Sequence, residues 1–182
     1  MKIFGKKGIE RRYQANKSRL EGFNEYIYGQ TKAPASEVKY GSAGRNVSYV
    51  GCGVAAIYNV MRFIGKPQSF ADVVKDSEML RLPFFGGRFG TKTKKLGRYF
   101  KLHNIDFTEY RNYDNFKKAL PSHKICIICS WNDKITDGIH FYCVYPREDG
   151  SFKSINYYSS DRPFDFDLST LRKDRFIFAY GF

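Results

Sequence analysis

The run Gly51-Cys52-Gly53-Val54-Ala55-Ala56-Ile57-Tyr58-Asn59-Val60-Met61-Arg62-Phe63-Ile64-Gly65 decides how the rest of the chain is read. Val54, Ile57, Tyr58, Met61 and Ile64 recur at the spacing of a helix face, and Gly65 followed by Pro67 closes the pattern. The spacing predicts a buried helix that begins at or near a cysteine. Unpaired amide N–H groups and the helix dipole at such a terminus favour an anion. With a protonated imidazole nearby, a thiol there can fall from about 8.5 into the range of roughly 3.5 to 7.5. The flanking glycines leave room for a substrate backbone, so Cys52 is the candidate nucleophile, although a buried free cysteine is also an ordinary core residue.

Working outward, Ser69 is placed to cap a second helix through about Met79, Thr91 a third through about His103, and Asn112 or Asp114 a short fourth ending before Pro121. From Ile105 onward the apolar residues fall into shorter runs, 105–110, 125–130, 139–145, 152–158 and 176–182, which read as strands. Helices followed by hairpin-linked strands indicate an α+β domain. The first 20 residues carry seven Lys or Arg and one Glu without an apolar period, so residues 1–45 are expected to form a basic N-terminal arm. That arm belongs to the same domain or is partly ordered, and residues 46–182 form the main domain.

Asp137-Gly138-Ile139-His140 puts an imidazole at the start of a strand after a glycine turn, where a base would be rigidly held. His103 and His123 sit in a helix end and a polar loop and make poorer candidates. Asn156, on the following strand, offers an amide oxygen that could accept the imidazole N–H and fix its tautomer. Strand parity sets a condition on this pair. A three-residue loop Glu148-Asp149-Gly150 pairs Arg147 with Ser151 and leaves His140 diagonal to Asn156 on one face, whereas a two-residue loop would separate them.

Tyr49 to Ile57, Gly138-Ile139-His140-Phe141-Tyr142-Cys143-Val144 and Ile155-Asn156 together resemble the Cys, His and Asn/Asp motifs of papain-like cysteine peptidases. The compact layout is most similar to the peptidases that remove double-glycine leaders from bacteriocins, and the likeness runs from about Asn46 to Tyr158. It implies a papain-like fold, N-terminal helices with the nucleophile helix packed on a C-terminal antiparallel sheet. It further implies Cys52 as nucleophile, His140 as general base and acid, and Asn156 as orienter. Asn46, six residues before Cys52, stands where the family carries an oxyanion-binding Gln. The implied activity is a thiol hydrolase that cleaves a peptide or amide bond through an acyl-enzyme. An acyltransferase or transglutaminase could use the same site, and a non-catalytic basic module for nucleic acid or another polyanion is the rival from a different class.

Composition narrows the partners. The net charge of +13 over 182 residues favours anionic ones, so an acidic peptide or protein substrate is expected. Seven basic and no acidic residues interleave with aromatics from Arg81 to Lys101, a pattern that single-stranded nucleic acid could use but that a solvated face over an aromatic core also explains. Four cysteines are too few for a disulfide framework, and Cys126 and Cys129, on opposite faces of one strand and without further ligands nearby, argue against a metal site. No cofactor is expected. The absence of an apolar h-region or a long apolar span leads to the expectation of a soluble, cytoplasmic protein without a transmembrane segment.

Overall fold

The computed structural model of the chain describes residues 3–133, 138–157 and 160–182, with side chains from residue 5 onward. Helix α1 (Ile3–Arg19) leads into a two-stranded ladder of β1 (Lys39–Tyr40) and β2 (Arg45–Asn46). The single turn α2 (Val47–Val50) runs through Gly51 into α3 (Cys52–Phe63), followed by α4 (Phe70–Met79) and α5 (Gly97–Leu102). Strand β3 (Thr108–Tyr110) and helix α6 (Tyr113–Ala119) precede β4 (Cys126–Trp131), β5 (Ile139–Pro146), β6 (Phe152–Ile155), β7 (Phe164–Asp165) and β8 (Phe176–Gly181). The six later strands form one antiparallel sheet in the order β3-β8-β4-β5-β6-β7. No described helix is long and apolar enough to cross a membrane.

Period-two alternation divides the sheet between two cores. Ile127, Cys129, Phe141 and Cys143 point toward α3, which is buried all round because α4 covers its other side. Cys126, Ile128, Tyr142 and Val144 point the other way, onto Phe116 and Leu120 from α6 and onto Phe166 and Leu171. Both faces being covered explains why Ile125-Cys126-Ile127-Ile128-Cys129 is continuously apolar instead of alternating.

The helix caps follow the sequence closely at two sites. Ser69 accepts from Asp72 N–H at the start of α4, and Asn112 accepts from Asn115 N–H at the start of α6. Thr91 does not start a helix. It pairs with Pro83 in an isolated bridge, residues 93–95 make a 3-10 turn, and α-helical geometry begins only at Gly97. The strand expected to reach Tyr158 ends at Ile155, because Asn156 turns into a left-handed conformation (φ 63°); Tyr158 itself lies outside the described residues, as does Asp137 of the turn before His140.

The basic start of the chain is a 17-residue helix. Ile9 is buried and Tyr13 packs against the core, and polar contacts add to that hold. Arg12 forks onto the Glu78 carboxylate at 3.0 and 2.7 Å, and Glu78 Oε1 also accepts from Gly41 N–H at 2.5 Å. The fully buried Asn16 exchanges two 2.9 Å bonds with the Lys39 backbone. Leu20, Ile27, Val38 and Tyr40 then join the same core as α3.

Candidate active site

Cys52 is the first residue of α3, and α2 aims it by bringing the chain in through a single turn capped at Gly51. A side chain at Gly51 would strike Val47, and one at Gly53 would strike Thr91, both at 2.4 to 2.7 Å, so both glycines are needed for this close packing. Where α3 packs on β5, the backbone N–H of Phe141 and the first-turn N–H groups of Gly53 and Cys52 itself favour the anion of the sulfur. These first-turn donors lack an intrahelical acceptor by geometry. Burial nevertheless dominates and pushes the Cys52 thiol up, with the three donors opposing the rise. The depressed thiol expected from the sequence is therefore not found: a terminus sunk this far, 9% exposed, loses more by desolvation than its donors return. Burial also pushes up Cys126, Cys129 and Cys143, with no such donors against it.

His140 sits one residue before Phe141 on β5. Strand parity turns its ring to the Tyr142 side, where the two rings stack at 5.9 Å. Its Nε2 lies 2.5 Å from the main-chain carbonyl oxygen of Asn156. A carbonyl can only accept, so Nε2 carries the hydrogen and Nδ1 carries the lone pair. Burial lowers the imidazole below its ordinary value, and the Asn156 carbonyl partly offsets this. No hydrogen bond joins Cys52 Sγ to His140 among the described residues. The structure does not bring the two side chains together as the sequence leads one to expect: Cys52 lies on the α3 face of the sheet and His140 on the Tyr142 face, and they line separate cavities that share Trp131.

The hairpin register is the one the three-residue loop required. Cys143 pairs with Ile155 and Tyr145 with Lys153, Arg147 N–H donates to Ser151, and Gly150 takes φ 78°. His140 and Asn156 do meet, but through a different atom from the one expected. The Asn156 side-chain oxygen accepts from Gln30 N–H at 2.8 Å, its amide nitrogen donates to Gln30 Oε1 at 3.2 Å and to Phe141 O at 3.5 Å, and its own N–H donates to Tyr28 O. The amide clamps the 28–30 strap, and the clamp sets the carbonyl that His140 meets. Gln30 also donates to the carbonyls of Val47 and Ser48, which ties the same strap to α2. Sequence reading missed Gln30 because it lies 126 residues from its partner and carries no motif.

Asn46 occupies the N-cap position of α2, one helical turn ahead of Cys52. Its oxygen accepts from Lys39 Nζ at 2.6 Å, which leaves the NH2 as the donor end. His103 and His123 are engaged elsewhere, with Gln68 and Tyr110. The larger cavity, 740 Å³, opens beside Cys52 between Tyr49, Phe89, Thr91, Trp131 and Phe141.

No protein-family model matches this sequence, and no curated protein matches it. Solved structures do resemble it. Among them is the crystal structure of the peptidase domain of Streptococcus ComA, described as a bi-functional ABC transporter involved in a quorum sensing pathway. It aligns at a TM-score of 0.50 and 16% identity, over 71% of this chain and 88% of that one. At that identity the likeness is one of fold, and the chain has the mixed arrangement of N-terminal helices and C-terminal antiparallel sheet consistent with a papain-like peptidase fold.

Proposed function

We propose that this chain is a papain-like thiol hydrolase that cleaves a peptide or amide bond through a Cys52 acyl-enzyme. The observation that carries the reading is the meeting of α3 with β5. That packing sets Cys52, at the start of α3, against the strand that carries a histidine whose Nε2–H is tied to the Asn156 carbonyl. That tie leaves Nδ1 as a base.

With the thiol raised and the imidazole lowered, the resting pair is neutral, and His140 acts as a true general base during attack. The thiol proton passes to Nδ1 as the sulfur–carbon bond forms, a transfer that requires the His140 ring to swing from the Tyr142 face, where this structure holds it, to the sulfur. The carbonyl oxygen becomes an oxyanion that accepts from Cys52 N–H and the Asn46 amide; one such donor is worth about 10²- to 10³-fold. Collapse breaks the carbon–nitrogen bond, and the departing amine takes the proton from Nδ1. Water, giving a proton to the same nitrogen, then attacks the thioester and releases the acid and the free thiol. Asn156 orients the ring through its main chain, and Gln30 positions Asn156. The test is incubation with a mixed peptide pool and mass detection of new termini. Cleavage by the wild type and none by Cys52→Ala supports the reading, and no cleavage by either, or equal cleavage by both, contradicts it.

A further inference from the structure

The cavity beside Cys52 has an unusual combination of walls. Tyr49 and Phe89 are 77% and 69% exposed and Trp131 is 40% exposed, although large apolar side chains are ordinarily covered. They face one another across an open volume of 740 Å³ that Cys52 itself lines. Phe84, Phe85 and Phe89 form one aromatic cluster with ring centroids 4.7 to 6.3 Å apart, so the exposed rings support one another.

Arg88, Lys92, Lys94 and Lys95 line the same cavity, and among its described residues none is acidic. None of the four forms an ion pair with a described carboxylate, although Lys92 Nζ donates to the Arg81 carbonyl. Lys92, Arg98 and Arg81 crowd Lys95 closely enough to lower its affinity for a proton. Like charges gathered beside an apolar hollow repel one another until an anion joins them. The four cations all come from residues 88–95, whereas Tyr49, Trp131, Ile139 and Phe141 bring apolar surface to the same cavity as the sulfur, which suits a chain bearing both kinds of side chain better than a uniform polyanion.

Resting on the hydrolase reading, we infer that the substrate is a peptide segment that pairs a bulky apolar residue, seated between Tyr49, Phe89 and Trp131, with acidic residues set against Lys92 and Lys95. A nucleic acid would fill the lip and leave the hollow empty, because its charge runs along the whole strand.

The experiment reads binding on the full-length Cys52→Ala chain by fluorescence anisotropy, with matched peptides carrying one Phe and either Glu, Gln or Lys flanks. The Glu peptide is expected to bind about tenfold more tightly than the Gln peptide at low salt, and the gap should shrink as added salt shortens the electrostatic reach to about 8 Å or less. Replacing Phe by Ala in the Glu peptide should weaken it several-fold. The double variant Lys92→Glu/Lys95→Glu, verified as folded by circular dichroism, should invert the preference toward the Lys peptide. Salt sensitivity in the wild-type chain gives the same information if that variant fails to fold. Equal binding of the three peptides overturns the inference. So does full displacement by poly-Glu, single-stranded DNA or anionic vesicles at equal charge concentration. Binding is measured without turnover, so a chain that prefers the Glu peptide yet cleaves nothing loses the hydrolase reading alone, and a chain that cleaves without charge preference loses this inference alone.

Discussion

Asn156→Gly separates the two ways in which Asn156 could serve His140. Glycine suits φ 63°, keeps the carbonyl that meets His140 Nε2, and removes the amide. Of the three side-chain bonds, only the 2.8 Å bond from Gln30 N–H has strong geometry, so its loss orphans one partly buried donor at about 1–2 kcal/mol. The extra freedom of glycine in the unfolded chain adds about 0.5–1 kcal/mol. The expected loss is about 2 kcal/mol by urea unfolding. Asn156→Ala should lose about 1 kcal/mol more, for a Cβ in the left-handed region. Both remain folded against a typical total of about 5–15 kcal/mol. With the carbonyl retained, ring-nitrogen NMR shifts of His140 should still report the Nε2–H tautomer, and reaction of Cys52 with a peptidyl electrophile should slow by about tenfold or less. Losing a side-chain orienter outright typically costs about 10⁴-fold. Unchanged stability together with a loss of 10³-fold or more would show that the amide acts on His140 directly, and would refute the carbonyl assignment.

Arg12→Ala should cost about 3–5 kcal/mol in thermal or urea unfolding, because it strips the guanidinium from a Glu78 carboxylate that is 6% exposed; a loss below 1 kcal/mol would show that α1 is not anchored there. The pH dependence follows from the two shifts. His140 must be neutral to accept the thiol proton, so activity should rise with pH through a midpoint below the usual imidazole value of about 6.5, and alkylation of Cys52 by iodoacetamide should keep rising above pH 9. An alkylation plateau across pH 5–8 would instead reveal a standing thiolate. Gly150→Ala places a Cβ at φ 78° in the β5–β6 loop and should cost about 1–2 kcal/mol in unfolding free energy, and a neutral result would count against this register.

The parts of the fold visible in the sequence were those where one local rule decides. Val54 to Met61 had both the period and the terminating Gly65, Ser69 and Asn112 had the short oxygen a cap requires, and Gly150 supplied the positive φ that a three-residue hairpin needs. The parts that were hidden depend on partners far away in sequence. Helix α1 shows only a sparse apolar period, Ile9 and Tyr13, because part of its hold comes from Arg12 on Glu78 and Asn16 on Lys39, 66 and 23 residues distant. Thr91 looked like a cap, yet its hydroxyl is taken by Tyr40 at 3.2 Å, which draws the segment into a bridge. For the candidate site, the register that sets His140 diagonal to Asn156 was legible. The atom through which Asn156 meets His140 was not, since it depends on Gln30, nor was the balance at Cys52 between helix-terminal donors and burial.

The central claim, that Cys52 is a nucleophile activated by His140, is tested most directly by intact-mass and peptide-mapping analysis after limiting treatment with a peptidyl vinyl sulfone, comparing the wild type with His140→Ala. The account predicts one adduct, confined to Cys52, that forms at least 10²-fold more slowly in the variant. Labelling spread over Cys126, Cys129 and Cys143, or an unchanged rate without the imidazole, would contradict it.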